Sequence, residues 1–201
     1  MSVKIYVEGG GPYQETKADL RIGFGKLFEK IVPPGKLPRV LPCGGRDQAF
    51  KSFRSAVTES RPGDRFLLIV DSEDPVPPGV GVWAHLKQRD KWDCPAGADE
   101  TSAHLMVQCM ESWFLADPQI LVTFYGDGFQ ATALPGRPNI EEISKADVEE
   151  ALKQATRRTQ KKEYHKIKHA SKILGELDPQ LLRGKSRHFD RLCETILQFA
   201  S

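Results

Sequence analysis

The chain has no run approaching the roughly 18 to 20 consecutive apolar residues that a membrane helix requires, so no membrane association is expected. Its four cysteines, Cys43, Cys94, Cys109 and Cys193, contain no Cys-x-x-Cys pair. That spacing disfavours a zinc site built on them and leaves reduced thiols as the expectation. A strand-like run begins almost at the first residue with no apolar leader, so a cytoplasmic location is expected rather than secretion. There are no internal repeats and no low-complexity tracts, which excludes solenoid architectures. Gly9-Gly10-Gly11 is followed by no Gly-Lys-Ser/Thr and lacks the G-x-G-x-x-G spacing. Neither a Walker A loop nor a dinucleotide fingerprint is therefore present. His165 and His169 stand four apart, but no Glu lies between them as a zincin requires.

What the chain does have is 201 residues with 39% hydrophobic and 28% charged content, enough for one self-sufficient globular domain or a domain with a small appendage. Strand and helix signals alternate through the first half. Val3–Val7 reads as a strand, residues 15–31 as a helix with Leu20, Phe24, Leu27, Phe28 and Ile31 on one face, and Arg39–Cys43 as a second strand. A helix over 47–60 follows, then Arg65–Val70, whose unbroken apolar run suits a central parallel strand buried on both faces. This β-α-β-α-β order predicts a Rossmann-like α/β fold, a mostly parallel sheet flanked by helices.

Residues 75–101 are rich in proline and glycine, and Trp83 and Trp92 bracket a charged segment, so a packed flap is expected there. A fourth strand at 104–109 leads into a helical stretch over 111–125, interrupted near Pro118. Helices are expected over 146–159, 166–177 and 179–199, the last capped by Asp178. The organisation so read is an α/β core over 1–126, with the insertion at 75–101, and a helical basic C-terminal region over 127–201.

Three acidic stretches follow strand signals: Glu8, the run Asp71-Ser72-Glu73-Asp74, and Glu111. Open parallel sheets gather ligands at the carboxyl ends of their strands. Carboxylates crowded there repel one another unless protons or a cation neutralise them. In an extended chain Asp71 and Glu73 point the same way, so both could reach one Mg²⁺ or Mn²⁺. Each stretch also has a simpler account. Glu8 can be a solvated turn residue, Asp74 before Pro75 a loop cap, and Glu111 a favourable charge at a helix start.

Charge is unevenly spread although the net value is only +2. Residues 151–201 carry twelve basic and five acidic residues, a balance of +7, and the first 150 residues stand at −5. Lys162, Lys166, Lys168 and His169 belong to a basic cluster that could hold a nucleic-acid backbone, DNA or RNA. A solvated helical face explains the same residues equally well. Arg46, beside Gly44-Gly45 at a helix start, is placed to meet a phosphate.

The stretches Ile5–Gly11, Arg21–Phe24, Pro42–Arg46, Leu68–Asp74, His104–Asp117 and the segment around Tyr164-His165-Lys166 together resemble an uncharacterised prokaryotic family of small proteins related to the TOPRIM (topoisomerase–primase) superfamily. The resemblance implies a glutamate after the first strand, onto which Glu8 falls, and a D-x-D pair after a later one, onto which Asp71 and Glu73 fall. Glu73 departs from that pattern by replacing the second Asp. It further implies similarity to overcoming-lysogenization-defect nucleases, in which a downstream acid supports a second metal; Glu111 is the counterpart. Such proteins often accompany an ATPase in phage-defence loci.

These readings lead to an expected Mg²⁺- or Mn²⁺-dependent nuclease or related phosphodiester-processing enzyme. Glu8, Asp71 and Glu73 would hold the metal, Glu111 and Asp74 would assist, and Lys166 would neutralise charge in the transition state. The alternatives are a catalytically inactive TOPRIM-like subunit docking on an ATPase, and a phosphate-transfer enzyme acting on small molecules. A homo-oligomer is compatible with either.

Overall fold

The computed structural model describes residues 3–200. Four strands form one parallel sheet in the order β2-β1-β3-β4: β1 (Val3–Val7), β2 (Arg39–Pro42), β3 (Arg65–Asp71) and β4 (Ala103–Met106). Side chains alternate in burial along β1, but five successive residues of β3, Leu67 to Asp71, are all buried. A strand buried on both faces needs helices on both, and they are present. Against one face lie α1 (Gln14–Glu29), α6 (Lys166–Glu176) and α8 (Arg187–Ala200). Their apolar residues pack with Ile5, Val7, Leu67 and Ile69 in one core. Against the other lie α2 (Arg46–Thr58) and α3 (Val82–Asp90), packed on Leu68, Val70 and Leu105.

From β1 the chain moves to β2 on one side, then passes back over β1 to reach β3 on the other. The strand order therefore reverses between β1 and β3, and a crevice opens beyond their carboxyl ends. The register brings Val7 beside Ile69 and Asp71 beside Met106, so these ends lie together.

The segment at 75–101 is more ordered than its prolines suggest, because α3 forms between Gly81 and a left-handed Lys91 (φ 62°). Its Trp83 and the following Trp92 pack on α2; Trp92 stacks on Phe50 with ring centroids 4.3 Å apart, and Trp83 lies 6.1 Å from Phe53. Residues 110–116 form a 3₁₀ helix whose side chains are all buried, rather than the start of the helical stretch expected over 111–125. α4 (Pro118–Tyr125) begins only after Asp117, whose carboxylate caps it.

α5 (Lys145–Thr156) follows a long connection. The single helix expected over 179–199 is two, α7 (Pro179–Lys185) and α8, divided at Ser186. The buried Glu141 carboxylate explains the break. It accepts from the Ser186 hydroxyl at 2.7 Å and from the His188 amide at 2.9 Å, and so supports the start of a new helix. Asp178 caps α7 through the Gln180 amide, as the sequence implied.

α1 and α6 cross closely. A Cβ added at Gly23 would run into the Ser171 carbonyl oxygen, and one at Gly175 would come within 2.9 Å of Lys26. This tight seam fixes where the first residue of α6 sits relative to β1. No helix among the described residues is long and apolar enough to cross a membrane.

Candidate metal centre

Glu8 follows β1 directly and its amide donates to Ile69 O of β3 at 2.9 Å, continuing the ladder by one residue. Its Oε2 accepts from the Asp71 amide at 3.2 Å. Asp71 ends β3 and is only 4% exposed; its Oδ1 accepts from the Met110 amide at 2.8 Å. Glu73 follows two residues later, held through its amide by Gln108 O at 2.8 Å. One carboxylate oxygen from each of Glu8, Asp71 and Glu73 lies within 4.8 Å of the others. Strand alternation is not what brings Glu73 in. Its backbone sits at φ 65°, a left-handed conformation uncommon outside glycine, and this turn returns the side chain to the cluster.

Each of these acids has one cation beside it, and each cation is the first residue of a helix. Arg46 opens α2 and reaches Glu8 at 3.1 Å; Lys145 opens α5 and reaches Glu73 at 2.7 Å; Lys166 opens α6 and stands 3.8 Å from Asp71. A cation at a helix N-terminus opposes the helix dipole, so it needs a carboxylate in front of it. Burial works against charge on Lys145 and Lys166, but Glu73 outweighs it for the first, and Glu111 with Asp71 for the second. Both lysines end above the ordinary ammonium value. Three helix starts thus point their positive ends at one acidic pocket.

Burial raises Asp71 to about 7, with Glu8 and Glu111 pushing the same way and Lys166 opposing. A carboxylate so poor at holding its charge gains from a nearby doubly charged ion. The donors are all oxygens, the set that hard cations such as Mg²⁺ and Mn²⁺ prefer. On both counts Glu8, Asp71 and Glu73 could hold a metal ion.

The other residues singled out from the sequence fall at varied distances from this cluster. Glu111 is 3% exposed and lies outside the trio; it accepts from the Tyr164 hydroxyl at 2.9 Å and faces Lys166 at 3.2 Å, so it is joined to Asp71 through that lysine. Asp74 points outward and pairs with Arg89 at 3.5 Å, which removes it from the metal position. Arg46 does not offer a free guanidinium to phosphate. Asp90 holds it at 2.9 and 2.7 Å, Glu8 and the Asp71 carbonyl take a third nitrogen, and Trp92 lies under it at 5.1 Å.

His169 is buried, with Nδ1 2.9 Å from the Tyr125 hydroxyl, and is a packing residue. Lys162 (φ 62°) and Lys168 are exposed beyond the cleft. Lys145, Asp90 and Tyr164 were not singled out for the site. The helix expected over 146–159 left Lys145 outside it; in the structure it opens α5, against the dipole.

The cluster borders a cavity of about 270 Å³ lined by Gly9, Gly10, Gly11, Gly44, Lys166 and Ile167 among others. All three glycines of the loop have positive φ (121°, 84° and 62°), and a Cβ at Gly9 would come within 2.9 Å of Leu20. Gly9 and Gly44 exchange backbone hydrogen bonds at 2.8 and 2.9 Å, tying the loops after β1 and β2 together beside the acids.

Fold and site together define an α/β protein with an acidic cluster at the switch point of a parallel sheet. The chain belongs to the family described as Domain of unknown function (DUF4276), whose model matches residues 7–197. No curated protein and no solved structure matches it.

Proposed function

We propose that the chain is a Mg²⁺- or Mn²⁺-dependent nuclease or related phosphodiester-processing enzyme. The observation that carries this reading is the meeting of Glu8, Asp71 and Glu73 within 4.8 Å at the carboxyl ends of neighbouring parallel strands. The TOPRIM resemblance supports it, since Glu8 stands where that superfamily has its first acid, and Asp71 and Glu73 where it has the pair.

The three carboxylates would hold the ion, and Arg46, Lys145 and the Met110 amide fix their orientation. A bound divalent ion polarises a phosphate oxygen and makes water a stronger nucleophile at neutral pH. In the hydrolysis, water oxygen bonds to phosphorus as it gives up a proton, the P–O ester bond breaks, and the leaving oxygen takes up a proton to depart as the hydroxyl. Lys166, half exposed at the cavity wall, stabilises the negative charge that develops on the phosphate. Glu111 and Tyr164 keep that lysine aimed at Asp71.

Glu8→Gln keeps the shape and removes the charge. Incubated with labelled DNA and RNA in Mn²⁺, the parent should cleave one of them and the variant should not. Cleavage at the parent rate by Glu8→Gln would remove the catalytic assignment.

One observation favours a second reading. Arg46, Lys145 and Lys166 each pair with one of the three acids, so cations of the chain itself already sit among them. An inactive TOPRIM-like subunit that docks on an ATPase would look like this, and equilibrium dialysis against Mn²⁺ separates the two, since only the enzyme retains the ion. A place beside an ATPase in phage defence is part of the proposal under either reading.

A further inference from the structure

A second cavity of about 390 Å³ lies along the seam of α1 and α6, and Ile167 and Ser171 line both it and the acidic cleft. The two therefore abut, with Ile167 at the sill. Ile22 (58% exposed) and Ile167 (41% exposed) leave apolar surface open along this groove. Its rim is cationic: Lys168 and Lys172 line it and Lys161 stands over Phe124 at its end, 5.2 Å from the ring. None of Lys161, Lys168 and Lys172 has a carboxylate partner among the described residues, in contrast to Lys145 and Lys166 deeper in the cleft. Two acids border the groove. Glu176 is matched by Lys26 at 3.2 Å, which leaves Asp19 alone against the lysines. The concentration of positive charge is felt by His169, which burial and then His165, Lys172, Lys168 and Lys161 hold below its usual value.

We infer that a single strand of nucleic acid lies along the α1–α6 groove and passes over Ile167 into the acidic cleft. Charge complementarity selects a polyanion. The exposed isoleucines select one whose bases are free to lie on apolar surface, because a duplex offers such a groove only its sugar–phosphate edge. Lys168 and Lys172, one helical turn apart, are about 6 Å apart along the axis and follow successive phosphates of an extended strand. The inference rests on the reading of the cleft as a phosphodiester-processing site and names its substrate as single-stranded.

Fluorescence anisotropy with a labelled single-stranded oligonucleotide and its duplex, in EDTA to prevent cleavage, tests it. The parent should bind the single strand more tightly than the duplex. The Lys168→Glu/Lys172→Glu variant should bind it at least about tenfold more weakly, with a salt dependence shallower by about 1.4 in log–log slope for two lost contacts. Ile167→Ser should weaken binding with no change in that slope. Unchanged affinity in the double variant, with an unaltered melting temperature, overturns the inference; so does a duplex bound as tightly as the strand. Binding by this groove without Mn²⁺-dependent cleavage would instead count against the catalytic proposal and leave the groove standing. Cleavage that survives charge reversal undiminished would do the opposite.

Discussion

Lys145 Nζ lies 2.7 Å from Glu73 Oε2, joining the first residue of α5 to a carboxylate that follows β3. Glu73 is also one of the three acids that meet at the switch point. The ammonium and a divalent ion would therefore compete for the same carboxylate, and the lysine sets how tightly an ion is held.

Replacing Lys145 by Met should accordingly strengthen Mn²⁺ binding, against the usual rule that damage near a site weakens it. Removing one positive charge about 5 Å from a doubly charged ion is worth roughly 1.7 kcal/mol even at the dielectric of water, so affinity should rise by at least about tenfold. Isothermal titration with Mn²⁺ reads the change directly. Equal or weaker binding in Lys145→Met would show that the lysine helps Glu73 hold the ion and does not compete with it.

Lys166 also faces one of the three acids, Asp71, along with the outlying Glu111, but it stands at the cavity wall and has a further role toward the substrate. Lys166→Met should retain Mn²⁺ binding but lower the cleavage rate by about 100-fold or more, the usual consequence of losing one charged donor to a developing oxyanion. Lys166→Arg should recover part of the rate. Loss of metal binding together with activity in Lys166→Met would make it a structural residue.

The α1–α6 seam gives a stability prediction. Gly23→Ala places a methyl group against the Ser171 carbonyl, and backbone cannot yield as a flexible side chain does. The two helices must separate, at a cost of about 1–3 kcal/mol. Gly25, on the same helix with open space around it, provides the control, and Gly25→Ala should be neutral or slightly stabilising. Urea melts of both variants give the comparison.

Acid sensitivity should come in part from His104, on β4. Burial, with Arg191 and His188 nearby, pushes it down to about 3. In the unfolded chain it titrates near about 6.5, so between these values the unfolded state binds a proton that the fold refuses. Stability is thus complete above about pH 6.5 and falls as the pH drops, by up to about 1.4 kcal/mol per unit from this group. Chemical denaturation at pH 7.5 and 5.5 should show that loss, and His104→Gln should reduce it. An identical pH dependence in the variant would clear His104 of the effect.

The hydrophobic pattern carried the α/β layering well: the unbroken run in β3 forecast burial on both faces, and the face Leu20, Phe24, Leu27, Phe28 is the buried side of α1. It misled where a distant side chain decides local structure. The break at Ser186 depends on Glu141, 45 positions away, and α3 is hidden among prolines and glycines because its stability comes from two tryptophans stacking on α2. For the site, strand ends pointed to Glu8 and Asp71, since a parallel sheet makes those ends neighbours. The partners were illegible. Nothing local to Arg46 announces Asp90, and alternation in an extended strand is not the route by which Glu73 reaches the cluster.

The seating of Lys145 and Lys166 at the starts of late helices has a consequence for synthesis. Ribosomes release the amino end first, at about 5–20 residues per second. Asp71 therefore emerges roughly 5–19 seconds before Lys166, 95 positions behind it, and spends that interval without its counter-charge. The pocket is complete only once α6 has been made, and a product truncated ahead of α5 would carry its acids with neither lysine to balance them.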